Sequence, residues 1–516
     1  MVEIKEGMEW PPSDELRFKM VEHAAWYSGD ANILANYYAQ VVATNFLGLP
    51  YTVDRDMFWA RQIRNDVEIG LHVPIAGDIA STSADLLFAE PPSIKVAQAH
   101  EKNASSAFTK TQEEMDKMLD KAGFFMRIIE AAETCAAMGG AYLKMAWDSE
   151  LSPYPIPVVE QADNAIPYFK FGFLRKVIFW KEIFIDTDRH HYYRLLEYCE
   201  SDGSIHYELY KGSSDRLGTM IDMSALEETK DLPDVKINGL KQILCVFIPN
   251  VMPNRYFRSS YFGRSDYAGI EGLMDSLDET FSSWMKDVLL AQAKVMVPQE
   301  FLQKDSGGKF RYNVDQMLYT KLDMDPTVEG NKITPVQFAI RADEFEKTSM
   351  ALIERIIVSA GYSPQSFGLN IVGRAESGTA LNIRERKSFS TKNKKEAYWE
   401  QALKYFVQMM LAVYKMELKG KVEADAEITT QFSDSFTNDI GEVSEAVSKI
   451  ATAMAASTET KVRMLHPDWS EAEVEAEVQM VLEENGLGPM AEPDELGGEK
   501  FKIKAKGDGE EAEGEE

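Results

Sequence analysis

The spacing of apolar positions changes several times along the chain, and each change marks an element. Residues 1–100 carry helical spacings separated by polar connections. The run Trp26-Tyr27-Ser28-Gly29-Asp30 predicts one helix ending at Gly29 and another starting at Asp30. Glycine accepts the left-handed conformation that stops a helix, and an aspartate can cap the free N–H groups of the next. Between 112 and 134, Met118, Leu119, Phe124, Phe125, Ile128 and Ile129 predict a helix packed on a core. From about 140 to 250 the pattern shortens. Gly139-Gly140 predicts a turn entering a strand, and runs rich in Val, Ile, Phe and Tyr follow at 168–173, 176–185, 192–199, 205–211 and 243–248. Ser201-Asp202-Gly203-Ser204 is a hairpin turn. An antiparallel β region is therefore expected inside an otherwise helical chain.

Residues 266–294 return to helical spacing, with Ile270, Leu273, Met274, Leu277, Phe281, Trp284, Met285 and Val288 in one stripe. Ser265 or Asp266 could cap this helix, and its opposite face carries Asp275, Asp278, Glu279 and Asp287. A small β insert is expected over 295–340, its strand-like runs broken at Ser306-Gly307-Gly308 and Asp325-Pro326. A second helix over 342–360 has Phe345, Leu352, Ile353, Ile356 and Ile357 on one side, and Gly361 and Pro364 stop it. Two long helices flanking a compact β insert describe a stalk. A polar, glycine-bearing loop over 365–378 leads into a third, very long helix, 379–418. Its second half carries the core stripe Trp399, Ala402, Leu403, Phe406, Met409, Met410 and Val413. Its approach and first half, 374–395, hold seven basic residues against two acidic ones. A short strand at 428–432 and further helices follow, one with an acidic first turn after Ser470. Beyond about 490 nothing can bury a core, so disorder is expected.

Composition narrows the function. The chain has 516 residues, 45% hydrophobic and 27% charged, enough for sizeable cores in about three domains. Its 55 Lys+Arg against 84 Asp+Glu give a net charge of −29. That argues against gripping nucleic acid with the whole surface, since phosphate binding needs clustered cations. No apolar run reaches the ~18–20 residues of a membrane span. The start, Met1-Val2-Glu3-Ile4-Lys5-Glu6, lacks signal-peptide character. Cys135, Cys199 and Cys245 are far apart, which fits neither a disulfide framework nor a zinc site, and they are expected to be buried or inert. Gly307-Gly308-Lys309-Phe310 is not a Walker loop, Gly263-Arg264-Ser265-Asp266-Tyr267 lacks the last glycine of a nucleophile elbow, and the adjacent His190-His191 makes a poor chelate. Asp323-Met324-Asp325 has its glycine, Gly330, misplaced for a calcium loop. A non-enzymatic protein without a cofactor is the expectation.

The order of elements, together with three local runs, resembles the portal proteins of tailed double-stranded DNA phages, of siphophage type. The runs are Trp26-Tyr27 with Gly29-Asp30, then Tyr261-Phe262-Gly263-Arg264-Ser265-Asp266-Tyr267 leading to Asp275-Ser276-Leu277-Asp278-Glu279-Thr280-Phe281, and Ser377-Gly378-Thr379-Ala380-Leu381-Asn382-Ile383-Arg384. The resemblance spans about residues 20 to 488. It implies an α+β fold with long stem helices, a β-containing clip, an antiparallel β region in the wing and a helical crown. On this chain that places a wing at 1–260, stem helices at 261–294 and 341–361, the clip at 295–340 and the tunnel loop at 362–378. A long wing helix and strand follow at 379–439, a helical crown at 440–488 and an acidic tail at 489–516.

The resemblance further implies a homo-oligomeric ring, usually a dodecamer, at one capsid vertex of the virion, assembled in the host cytoplasm. The ring passes double-stranded DNA during packaging and ejection, and no membrane is involved. Its partners would be the terminase large subunit, a head-completion or adaptor protein, and the major capsid protein with its scaffold. The channel would be narrowed by Asn370, Ile371, Val372, Gly373, Arg374, Ala375 and Glu376, with Arg374 nearest the DNA. Lys304, Lys309, Arg311 and Lys321 would form the docking surface of the clip. The basic half of the long helix is expected to pair with acidic faces of adjacent subunits. The competing readings are a channel-less minor capsid protein and a nuclease or ATPase subunit of the packaging machinery.

Overall fold

A computed structural model of the chain describes residues 3–12, 15–45, 57–62, 70–100, 105–148, 150–188, 190–291, 294–296, 303–304, 310–311, 334–336, 340–369, 378–432, 440–466, 469 and 471–484. The fold is α+β and divides into two compact units, Met1–Ser433 and Asp434–Glu516. The first unit opens with α1 (Glu15–Tyr27), α2 (Ala31–Asn45), α3 (Phe58–Gln62) and α4 (Ile75–Phe88). Gly29, at φ +65°, separates α1 from α2, and Asp30 Oδ1 accepts from the Asn32 N–H at 2.7 Å. Strand β1 (Ser93–Val96) then leads to α5 (Ser106–Lys121) and α6 (Phe124–Met138). The expected single helix over 112–134 is thus two helices, because Gly123 sits at φ +62° and turns the chain between them.

The β region follows as β2 (Gly140–Ala146), β3 (Ile156–Gln161), β4 (Ala165–Lys170), β5 (Phe173–Asp186), β6 (His191–Glu200), β7 (Ser204–Ser213), β8 (Arg216–Ile221), β9 (Val235–Lys236) and β10 (Cys245–Pro249). Strands β4 to β8 lie side by side in chain order with β9 on β7, and β2 lies between β10 and β3. All these pairings are antiparallel. At the β6–β7 turn Gly203 has φ +77°, and Asp202 Oδ1 accepts from the Ser204 N–H at 3.1 Å. Trp10, close to the N-terminus, packs edge-on against Trp180 at 5.6 Å and is 2% exposed.

The chain then runs through α7 (Glu271–Leu290), β11 (Lys294–Met296), β12 (Gln303–Lys304), β13 (Phe310–Arg311), β14 (Thr334–Val336), α8 (Ala342–Ala360), α9 (Gly378–Met416) and β15 (Ile428–Gln431). Strand β15 pairs with β1. The second half of α9 lies in the main core, where Trp399 packs edge-on to Phe88 at 5.0 Å and Phe406 stacks on Phe124 at 6.1 Å. The second unit holds α10 (Ile440–Thr452), α11 (Thr458–Leu465) and α12 (Glu471–Glu484). Ser457 caps α11, its Oγ accepting from the Thr460 N–H at 3.2 Å. The residues expected to form an acidic tail lie outside the described residues.

Helices α7 and α8 form an antiparallel pair. Trp284 stacks on Phe345 at 6.1 Å, and the Arg341 guanidinium meets Asp287 at 2.9 Å. Beyond them β11 pairs with β14, so the strands close the base of the insert. Helix α7 begins at Glu271 rather than near 266, and neither Ser265 nor Asp266 caps it. Residues 265–270 instead form turns, with Gly269 at φ +86°.

The polar face of α7 does not face water. Asp275 and Asp278 are buried, Asp278 to 1% exposure. Asp275 accepts from the Phe58 N–H at 2.7 Å and the Trp59 N–H at 3.1 Å, so it caps α3 from a distant part of the chain. Asp278 accepts from Trp59 Nε1, His72 Nδ1 and the Val73 N–H, each at 2.8 Å. Two turns earlier, Glu271 meets His23 at 3.2 Å. Burial, aided by the neighbouring charges of Asp278 and Glu279, pushes Asp275 up to about 6 against its two N–H bonds. Glu271 is also penalised by burial, but the His23 hydrogen bond and the Lys19 charge win and hold it near about 2. Replacing Asp278→Ala orphans three buried donors at a cost of about 1–3 kcal/mol each. A stability loss of about 3–5 kcal/mol in urea unfolding is expected, with Asp278→Asn milder; a loss below about 1 kcal/mol would show that these bonds do not hold the N-terminal segments on α7.

Candidate functional site

Helix α8 stops at Gly361, which has φ +108° and donates to the Val358 carbonyl at 3.3 Å. Residues Pro364–Phe367 then make one 3-10 turn, closed by Gly368 at φ +71°. The first half of α9 holds this turn. Ser388 Oγ accepts from the Ser363 N–H at 2.8 Å and lies 2.8 Å from Ser366 Oγ, while Thr391 Oγ1 donates to the Gly361 carbonyl at 2.7 Å. The expected tunnel loop, Asn370, Ile371, Val372, Gly373, Arg374, Ala375 and Glu376, lies outside the described residues. Its two ends, Leu369 and Gly378, belong to described and hydrogen-bonded segments.

One residue on α9 fixes this whole corner. Lys395, 1% exposed, reaches Asp266 Oδ2 at 2.6 Å, Ser83 Oγ at 2.6 Å and Tyr362 Oη at 3.0 Å. Tyr362 donates to the same Asp266 oxygen at 2.7 Å, and Asn250 Nδ2 donates to the other at 2.8 Å. Burial and the Asp266 charge push the Tyr362 hydroxyl well above its ordinary range, so it stays a donor. The Asp266 N–H donates to the Ala136 carbonyl at 3.0 Å. Helices α4, α6, α8 and α9, the end of β10 and the approach to α7 are therefore tied to one ion pair. Two glycines let them come this close. A Cβ on Gly263 would lie 2.6 Å from the Gly139 carbonyl oxygen, and one on Gly139 would lie 2.8 Å from that of Gly263.

Two cations of the basic half of α9 are thereby taken up within the chain rather than left for a neighbour. Lys395 pairs inside its own chain, and Lys392 meets Glu396 at 3.3 Å. Arg386, Lys387 and Lys394 are exposed. Asp266 was a capping candidate in the sequence, and nothing in its neighbourhood there pointed to a lysine on a helix 129 residues away. Of the docking residues, Lys304 pairs in register with Phe310 and Arg311 with Gln303 in the β12–β13 hairpin. Lys309 and Lys321 lie outside the described residues, as do the side chains of Lys304 and Arg311. The site residues of the loop and the clip are not brought together by any described contact.

Cys135, Cys199 and Cys245 are buried free thiols, and burial pushes Cys135 up to about 12. Among the described residues no group of His, Cys, Asp and Glu could hold a metal ion, and no helix is long and apolar enough to cross a membrane.

Removing one partner of a buried ion pair strands the other, which costs about 3–5 kcal/mol. Lys395→Met and Asp266→Asn are each expected to lower the unfolding free energy by that amount. The double variant should lose clearly less than the sum, because neither charge is then stranded. Additive losses in a double-mutant cycle would show that the pair is not the linchpin described.

The family model described as "Phage portal protein, SPP1 Gp6-like" matches residues 17–486. No curated protein matches the sequence. Among solved structures, a chain from the neck of an empty gene transfer agent particle, computed with C6 symmetry, is 14% identical with a TM-score of 0.43, covering 82% of this chain and 97% of that one. A chain from the neck of the native particle, computed with C12 symmetry, is 13% identical with a TM-score of 0.41, covering 76% and 89%. The family match runs from within α1 to just past the end of α12, through the α7/α8 pair and the long helix, and on that extent the chain belongs to the SPP1 Gp6-like family of phage portal proteins.

Proposed function

We propose that this portal protein forms a homo-oligomeric ring, most simply of twelve subunits, at one capsid vertex. The ring conducts double-stranded genomic DNA inward during packaging and outward at ejection. The carrying observation is the family match over residues 17–486, which includes the antiparallel α7/α8 pair and the β insert between them. In this reading α7 and α8 are the stem, 295–340 the clip and 370–376 the loop that narrows the channel. Residues 1–260 with the long helix form the wing, 440–488 the crown. The distal part of the stem supports a ring physically. Met285, Leu289, Leu290 and Met350 are exposed on the helix pair, apolar surface that a neighbouring copy would cover.

The acidic balance suits the task. Each phosphate neutralised by a fixed cation adds affinity through counterion release, and a ring multiplies that by its copy number. A chain of −29 with Arg374 beside Glu376 in the loop would let a duplex slide rather than stick. The protein itself is non-enzymatic in this reading. The ATPase is a separate terminase large subunit docked on the clip through Lys304, Lys309, Arg311 and Lys321. An adaptor protein later takes that place, and capsid and scaffold proteins surround the wing.

Mass photometry with negative-stain averaging of the purified chain tests the ring directly: an axial hole in a ring of about twelve copies is expected. Deleting 295–340 should leave rings intact but abolish motor docking; clipless rings that still package DNA would refute the clip assignment. Shortening 370–376 should change packaging or DNA retention without affecting ring assembly, and unchanged packaging and retention would remove that segment from the channel.

A further inference from the structure

A second feature of the α8–α9 corner is not used by the buried pair. Arg255, Arg264, Arg355 and Lys387 converge around an open cleft of about 650 Å³. They come from three separate places: the turns before α7, the C-terminal half of α8 and the first half of α9. Among the described residues no carboxylate lines the cleft. Among the described residues none of the four cations makes an ion pair, although the surrounding protein carries 84 acids. Lys387 donates to the Val358 carbonyl, which orients its ammonium without neutralising it. The nearest buried acid, Asp266, is already committed to Lys395, Tyr362 and Asn250.

The cations disturb one another. Burial, followed by the charge of Arg255, lowers the affinity of Arg264 for its proton. Burial, followed by the charge of Arg355, does the same for Lys387. The Asp266 charge pulls Arg264 the other way without reversing the balance, so positive charge is gathered here with only partial compensation. Elsewhere in the chain acids are placed with care: Asp275, Asp278 and Glu271 are buried with their donors. Four cations with no ion-paired carboxylate among the described residues, on an acidic protein, leave room for an anionic partner.

We propose that this cleft is a socket for carboxylate side chains of a second copy of the chain. The inference rests on the ring reading above and specifies where neighbouring subunits engage. Charge complementarity selects the occupant. At a net charge of −29 the commonest anionic group near any copy is a carboxylate of another, and arginine forks take carboxylates with two parallel bonds. A duplex is a convex cylinder, and the net charge of −29 opposes its approach. Lys395 and Lys392 are withdrawn into the chain, and the cation that α9 contributes to an interface is Lys387.

The test compares the full chain with the charge reversal Arg355→Glu/Lys387→Glu, both exposed positions, and with Arg386→Glu, an exposed cation on α9 that does not line the cleft. Ring fraction is measured by mass photometry over protein concentration at about 0.1 and 0.5 M salt, thermal unfolding of the unassembled chain checks the fold, and duplex DNA is the probe in a parallel gel-shift measurement. The expected result is self-association weakened about tenfold or more in the double variant, partial weakening of the wild type by salt, and no change for Arg386→Glu. Wild-type rings with double-variant rings equally abundant overturn the socket and leave the ring reading standing. Loss of DNA binding with unchanged rings overturns it in favour of phosphate. A wild-type chain that stays monomeric at every concentration overturns the socket and the ring together.

Discussion

The Lys395–Asp266 pair is the constraint on which the first unit turns. A charge removed from water must be matched by partners held at the right distance, or the chain around it unfolds. Here the ammonium has Asp266, Ser83 and Tyr362, and the carboxylate has Lys395, Tyr362 and Asn250. Each partner stands on a different element. Satisfying all of them fixes α4, α8, α9 and the start of the stem relative to one another more sharply than apolar packing would, since apolar contacts tolerate small displacements and hydrogen bonds at 2.6–3.0 Å do not. The cost is a narrow sequence requirement. Gly139 and Gly263 must stay without side chains for the backbones carrying these partners to approach.

Helix α7 extends the same logic to the stem. In an ordinary amphipathic helix one face is apolar and buried and the other is charged and wet. The first half of α7 has two buried faces, one of Met274 and Leu277 and one of Asp275 and Asp278. Its carboxylates serve as capping groups for backbone that comes from residues 57–73, so the start of α7 is held by the N-terminal segments as well as by its partner helix. The last of these attachments among the described residues is Ser282, whose Oγ accepts from the Leu71 N–H at 2.9 Å; farther out, apolar side chains such as Leu289 are exposed. The helix is anchored at one end and open to association at the other.

Much of this was legible in the sequence, and the limits have physical causes. Helix α8 and the long α9 stand out because Gly361, Pro364 and the stripe from Trp399 to Val413 are local signals. The β4–β7 meander is legible for the same reason, through period-two runs and the Asp202-Gly203 turn. Strand β1 is not, being four residues long and defined only by pairing with β15 more than 300 residues later. Asp266, Asp275 and Asp278 were visible as acids but not as buried ones. A carboxylate on a helix face has the same pattern whether it meets water or a distant N–H. The expected loop residues 370–376 and most of the clip lie outside the described residues, so their roles rest on the family resemblance alone. The cleft of Arg255, Arg264, Arg355 and Lys387 had no sequence signal, because its cations are scattered over more than 130 positions.

The way charge is sorted connects these observations. An acidic chain that must meet copies of itself faces mutual repulsion, and the remedy is to concentrate its few uncompensated cations where contact is wanted. The structure has both parts of such an arrangement. Some lysines, Lys395 foremost, are neutralised inside the chain and hold the fold. Arg255, Arg264, Arg355 and Lys387, grouped around the cleft beside α8 and α9, make no ion pair among the described residues. If cations were instead spread evenly, each copy would repel its neighbour weakly everywhere and attract DNA weakly everywhere, and a ring that must slide along a duplex would gain from neither. In the proposed ring, placing positive charge at one cleft would separate the two demands, cohesion between subunits and indifference toward the phosphate backbone.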